Sequence, residues 1–250
     1  MTVTVSPPCH ADLGGLPFLD DGFAARRLLA VTAAVRYADA SRRGLTDGMP
    51  AAQAGDWLSP ALAFMLSTAS TPMPAMPLTA SRREQLTGTL ASVAAVMPPW
   101  RMLLALPVRY ARLYPGHGAI SASSRDWPQH VLLADEAFTT GRELAEQVLH
   151  ELAHQWLYLI EDTWPLQIPG AATVTLPSGT CDRSPAEVLG AAHVAAMLIR
   201  FYQHDHSSWA ASRVRALTRY GTGCLDLAGT ISGDLTETGT LIAQRLKEAF

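Results

Sequence analysis

Lysine is nearly missing from this chain: Lys247 is the only one, and almost all of the basic charge is carried by arginine. No block of basic residues occurs anywhere, and the formal net charge is only −3 with 16% charged residues. A phosphate-tracking surface is therefore absent and nucleic acid is not an expected partner. Cysteine is also scarce. Cys9, Cys181 and Cys224 are odd in number, far apart and without a CxxC pair, which excludes a disulfide framework and a thiolate zinc site. Long apolar runs are lacking too. Stretches such as 28–35 and 189–199 fall short of the about 20 residues that a membrane span needs, so no membrane association is expected. Residues 1–16 have neither the basic start nor the apolar run of a secretory signal, and a cytoplasmic location is expected.

What is present is apolar bulk. In 250 residues, 48% hydrophobic, there is material for one large core, and the expectation is a single domain over 1–250 with a helical N-terminal region (1–97) and a metal-binding catalytic region (98–250). Residues 22–41, 60–67 and 82–96 carry helical periodicity. Pro72, Pro74 and Pro77 make 67–77 a loop, because proline removes an amide donor and clashes with the preceding turn. Extended structure is expected at 103–114, interrupted by Pro107, and at 130–134. Thr139 or Thr140 then caps a helix over about 141–161, and Ser184 with Glu187 reads as a capping box opening a helix over about 185–204. The fold class expected is α+β and mostly helical, with a zincin-like motif helix preceded by a small sheet and an N-terminal helical region.

The chemistry sits in the first of those two helices. His150-Glu151-Leu152-Ala153-His154 is an HExxH motif, whose four-residue spacing puts two imidazoles one turn apart on one face, able to grip one ion. They lie opposite the apolar stripe of Leu144, Val148, Leu152, Trp156 and Leu159, on the side of Glu143 and Gln147. Two histidines leave a metal under-coordinated, so a third ligand is sought downstream, where Glu187 and His193 compete. They lie six positions apart, about 120° around a regular helix, so one ion takes only one of them. Glu187 already fits as a cap, and His193 is favoured. Arg200 falls seven residues after His193 on nearly the same face, where an arginine fork suits a carboxylate of a chelating co-substrate. His204 and His206 read as solvated.

Three segments carry a family resemblance: Ser121-Ala-Ser-Ser-Arg125, His130-Val-Leu-Leu-Ala134, and Leu144-Ala-Glu-Gln-Val-Leu-His-Glu-Leu-Ala-His154. Together they resemble the HExxH-type peptide β-hydroxylases, iron- and 2-oxoglutarate-dependent enzymes that accompany or are fused to radical-SAM maturases of ribosomally made peptides. Arg183-Ser-Pro185 and Gly190-Ala-Ala-His193 look like that family's Arg-Pro element and following helix; its aromatic Pro-Trp-Arg element has no counterpart in 176–182. The resemblance spans residues 121–202. It implies Fe(II) on His150, His154 and His193, 2-oxoglutarate held through Arg200, Glu151 beside the metal, and β-hydroxylation of a side chain in a precursor peptide, with a radical-SAM maturase as a pathway partner. The alternative is a zinc peptidase, in which Glu187 is the third ligand, Zn(II) polarises the scissile carbonyl and Glu151 is the general base, although Ala191 stands where a further acidic residue would follow Glu187 one turn later. A silent leader-peptide-binding protein is the third reading.

Overall fold

A computed structural model describes residues 10–46, 55–67, 72–116 and 118–250. Cys9 lies outside them. In chain order they form α1 (Ala25–Arg42), α2 (Pro60–Leu66), β1 (Ala75–Met76), α3 (Ala80–Val96), α4 (Arg101–Leu104), β2 (Arg109–Leu113), β3 (Ser121–Ala122), β4 (His130–Leu133), α5 (Gly141–Thr163), α6 (Pro185–Tyr202), α7 (Ser208–Thr230) and α8 (Glu237–Lys247). The class is α+β, as the sequence implies. No helix among the described residues is long and apolar enough to cross a membrane.

The four strands form one sheet in the order β1-β2-β4-β3, with β2 and β4 parallel and both outer strands antiparallel to their neighbours. Strand β4 is buried on both faces, and its two-residue alternation sorts its side chains. Val131 and Leu133 enter the large helical core, whereas Leu132 joins Ala111, Leu113 and Trp127 in a smaller cluster on the opposite face. Burial on both faces explains why this strand is continuously apolar rather than alternating.

Two expectations are corrected here. Residues 103–114 are not one extended segment: Arg101–Leu104 is a helical turn, and the strand starts only at Arg109. The turn is held because Leu103 O accepts from the indole of the fully buried Trp156 at 2.9 Å, and Pro107 separates it from the strand. The proline-rich stretch holds β1 at Ala75–Met76, a short edge strand of the kind proline tolerates. By pairing with β2, β1 also ties the first region of the chain into the sheet of the second.

Helix α5 begins where Thr140 Oγ1 accepts from the Glu143 amide at 3.0 Å. Its position over β4 is fixed by a polar clasp. Gln155 accepts from the Gln129 amide (2.8 Å) and donates to His130 O (3.2 Å), while the Gln129 side chain bonds Arg36, Leu58 O and Pro107 O. Helix α6 is buried almost throughout, between α5 and α7. Its small residues permit this: Gly190 faces the His154 ring, and Gly221 of α7 approaches Ala195.

Candidate metal centre

Both histidines of the motif project from α5 into a cavity of about 640 Å³. Its walls are Glu151 and Tyr158 of the same helix, Ser121, Ser123 and Arg125 at the sheet edge, Arg183, Glu187 and Gly190 at the start of α6, and Tyr220 of α7. Nε2 of His150 and Nε2 of His154 are 3.2 Å apart. With metal–nitrogen bonds of about 2.0–2.1 Å, that spacing subtends roughly 100° at a shared ion, between the octahedral and tetrahedral angles. The imidazole pair thus fits a metal.

The protonation state fits as well. Burial first, and then the charges of His150, His193 and Arg183, hold His154 well below the ordinary histidine range, so its ring is neutral, as ligation requires. Glu151 is buried; Ser123 Oγ donates to its Oε2 at 2.5 Å, and Ser121 Oγ lies 2.6 Å from its Oε1 and 2.6 Å from Gln147 Oε1, so the single Ser121 proton is divided between two acceptors. The Tyr158 ring stacks on His154, centroids 6.0 Å apart and 16° between planes. Burial raises its phenol above the usual range, helped by Glu151 and Glu187, so it stays protonated. Three carboxylates (Glu151, Glu161, Glu187) face two guanidinium groups (Arg125, Arg183), an excess of one negative charge that favours a cation.

The third ligand is the point of disagreement with the sequence reading. His193 does not line this cavity. It is fully buried on another side of α6, about 120° round from Glu187, where Nε2 donates to Pro17 O at 2.8 Å. Since a carbonyl only accepts, that nitrogen carries the proton, and Nδ1 is left buried without a partner. Burial lowers its pKa from 6.5 to about 4. Arg200 lies on that same side, donating to Phe18 O (2.8 Å) and Leu19 O (2.7 Å) and pairing with Asp21 (2.6 Å). His193 and Arg200 do share a face, but it is covered by residues 17–21 rather than open to a ligand cavity. Nothing in the local spacing announces a segment more than 170 residues upstream.

Glu187 is the side chain of the competing pair that does line the cavity. It completes the expected capping box, with Oε2 accepting from Ser184 N at 2.8 Å, and Oε1 accepts from Arg183 at 2.6 Å. In that arrangement no three His, Cys, Asp or Glu side chains among the described residues converge on one point. The sequence reading missed Tyr158, although its four-residue spacing from His154 was visible, and Tyr220, whose helix it did not foresee. His204 and His206 are exposed, as expected. Neither a protein-family model nor a curated protein matches the chain.

Proposed function

We propose that this chain is a mononuclear metal enzyme that hydroxylates the β-carbon of a side chain in a ribosomally made peptide, using Fe(II) and 2-oxoglutarate, with His150, His154 and Glu187 as the protein ligands. The observation that carries the proposal is that Glu187, and not His193, shares the cavity with the two histidines. Two imidazoles and one carboxylate are the donor set of non-haem Fe(II) oxygenases, so the revised ligand agrees better with iron than three histidines do. The resemblance of residues 121–154 to the HExxH-type hydroxylases points the same way. Helix α5 packs on the sheet whose antiparallel edge strand, β3, borders the cavity.

Held by His150, His154 and Glu187, Fe(II) would supply the O₂ chemistry that turns 2-oxoglutarate into succinate and CO₂, with one oxygen atom going to succinate and the other to the peptide carbon. The rest is the work of the chain itself. His154 is kept neutral and oriented between Gly190 and Tyr158. Ser121 and Ser123 hold Glu151 against the sheet edge, which suits a supporting carboxylate beside the ligands. Leu157, Ala191 and Val194 give the cavity an apolar side that limits water. A radical-SAM maturase acting on the same precursor peptide is the pathway partner this reading implies.

One observation favours the zinc peptidase: Glu151 borders the cavity next in sequence to His150, where a base accepting a proton from the attacking water belongs. His₂Glu is also a known catalytic zinc set. The two readings separate in one experiment. Anaerobic protein loaded with Fe(II) and 2-oxoglutarate is exposed to O₂ beside a Zn(II)-loaded control, with a mixture of short peptides in both, and succinate and peptide cleavage are measured. Succinate in excess over iron, with none from the control, is expected; peptide cleavage by the Zn(II) form without succinate from the Fe(II) form overturns the hydroxylase.

A further inference from the structure

Glu187 is under two claims, and its partner Arg183 is only half used. The Arg183 backbone is fixed by reciprocal hydrogen bonds with Val174 (2.8 and 2.9 Å), so the root of the side chain is set at the cavity wall. One terminal nitrogen donates to Glu187 Oε1 at 2.6 Å, whereas Nε is buried with no hydrogen-bond partner. A guanidinium is a planar fork that pairs best with both oxygens of one carboxylate. Glu187 gives it one oxygen, at Nη1, while its second oxygen closes the cap of α6, so the Nε edge of the fork is left unused.

We infer that Arg183 is the carboxylate-binding residue of this cavity and that Glu187 and a bound acid compete for it. The inference rests on the reading of Glu187 as a metal ligand. Without a cation, Arg183 holds Glu187. When Glu187 serves the ion at His150 and His154, the guanidinium loses the partner that holds it in place and is free to turn, and Nε together with the other terminal nitrogen, Nη2, takes the carboxylate of the ligand side-on. Cation and acid then bind with positive coupling, each favouring the other by the same factor. The chemical class of the ligand is a small carboxylic acid, and under the proposed function it is the distal carboxylate of 2-oxoglutarate. A peptide C-terminus has the same group, and the arms of the test tell the two apart.

The test uses the full chain freed of metal by a chelator, with glutarate as probe because it lacks the 2-oxo group that grips iron. Calorimetric titrations compare wild type, Glu187→Gln, Arg183→Gln and the double variant; glutamine at 187 keeps an acceptor for the cap. Glutarate should bind Glu187→Gln about tenfold more tightly than wild type, and the gain should vanish in the double variant. Zn(II) should bind Arg183→Gln a few-fold more tightly than wild type, because the competitor for Glu187 is gone, and Glu187→Gln at least about tenfold more weakly. An N-acetylated tripeptide, free or amidated at its C-terminus, should not displace glutarate; displacement by the free acid alone reassigns the site to peptide ends and overturns the co-substrate assignment.

Equal glutarate affinities for wild type and Glu187→Gln, or a loss of Zn(II) affinity in Arg183→Gln, overturn the inference. If wild type takes no Zn(II), the metal reading fails, while the metal-free glutarate arm still decides the role of Arg183. Should Arg183→Gln fold poorly, Arg183→Lys keeps the charge without the fork and is expected to lose the glutarate gain alone.

Discussion

Glu151 is the residue whose chemistry separates the two readings. Its carboxylate meets a serine hydroxyl from the sheet edge at each oxygen, and a glutamine there keeps the shape but loses the charge. A hydrolytic enzyme needs Glu151 as a base, so Glu151→Gln should abolish its turnover. An oxygenase does not. The expected outcome is that Glu151→Gln still forms succinate from 2-oxoglutarate at a reduced rate, read by succinate release, with iron content unchanged. Loss of all turnover with iron and 2-oxoglutarate still bound assigns Glu151 a direct acid–base role. His150 and His154 were legible at this scale because an i, i+4 pair on a polar helix face is a local pattern. Arg183 was visible only as part of an Arg-Pro element, since its pairing with Glu187 depends on which oxygen the cap leaves free.

Among the elements, the approach of α6 to α5 sets the second histidine. A Cβ added at Gly190 would sit 3.2 Å from His154 Nδ1 and 3.3 Å from its Cε1, closer than ordinary van der Waals contact. Gly190→Ala is therefore expected to push the ring and weaken metal binding a few-fold with little change in thermal stability, the small helix-propensity gain offsetting the crowding. Isothermal titration and a thermal melt read the two quantities separately; unchanged metal affinity contradicts the proposed seat of His154. The starts of α5 and α6 were legible because caps are local: Thr140, Ser184 and Glu187 all cap as their sequence suggests. Strand β3 and helices α7 and α8 were not foreseen. The two residues of β3 have no periodicity to show, and they are extended because β4 pairs with them. The apolar face of α7 acquires its meaning only against α6.

For the whole molecule, the segment at residues 16–21 is the feature that the sequence kept hidden. It is tied down by His193, Arg200 and Arg245, the last pairing with Asp20 at 2.6 Å, and Phe18 beneath it is fully buried. Because burial lowers the His193 pKa from 6.5 to about 4, the unfolded chain binds a proton in that window and the folded chain does not. Stability is therefore whole above pH 6.5 and falls as pH drops toward 4, by roughly 1.4 kcal/mol per unit. His154 is displaced in the same direction and adds to the slope. In chelated protein, the loss in urea stability between about pH 7 and pH 5 should shrink by roughly 2 kcal/mol in His193→Gln, whose amide can still donate to Pro17. An unchanged slope contradicts the buried neutral ring. The segment and the cavity lie on different sides of α6, and that division is the core of the account. Its most direct test is the metal content of chelated, Fe(II)-reloaded Glu187→Ala and His193→Ala, measured anaerobically by elemental analysis beside wild type. One iron per chain retained by His193→Ala and lost from Glu187→Ala is the result expected; iron lost from His193→Ala and retained by Glu187→Ala contradicts it.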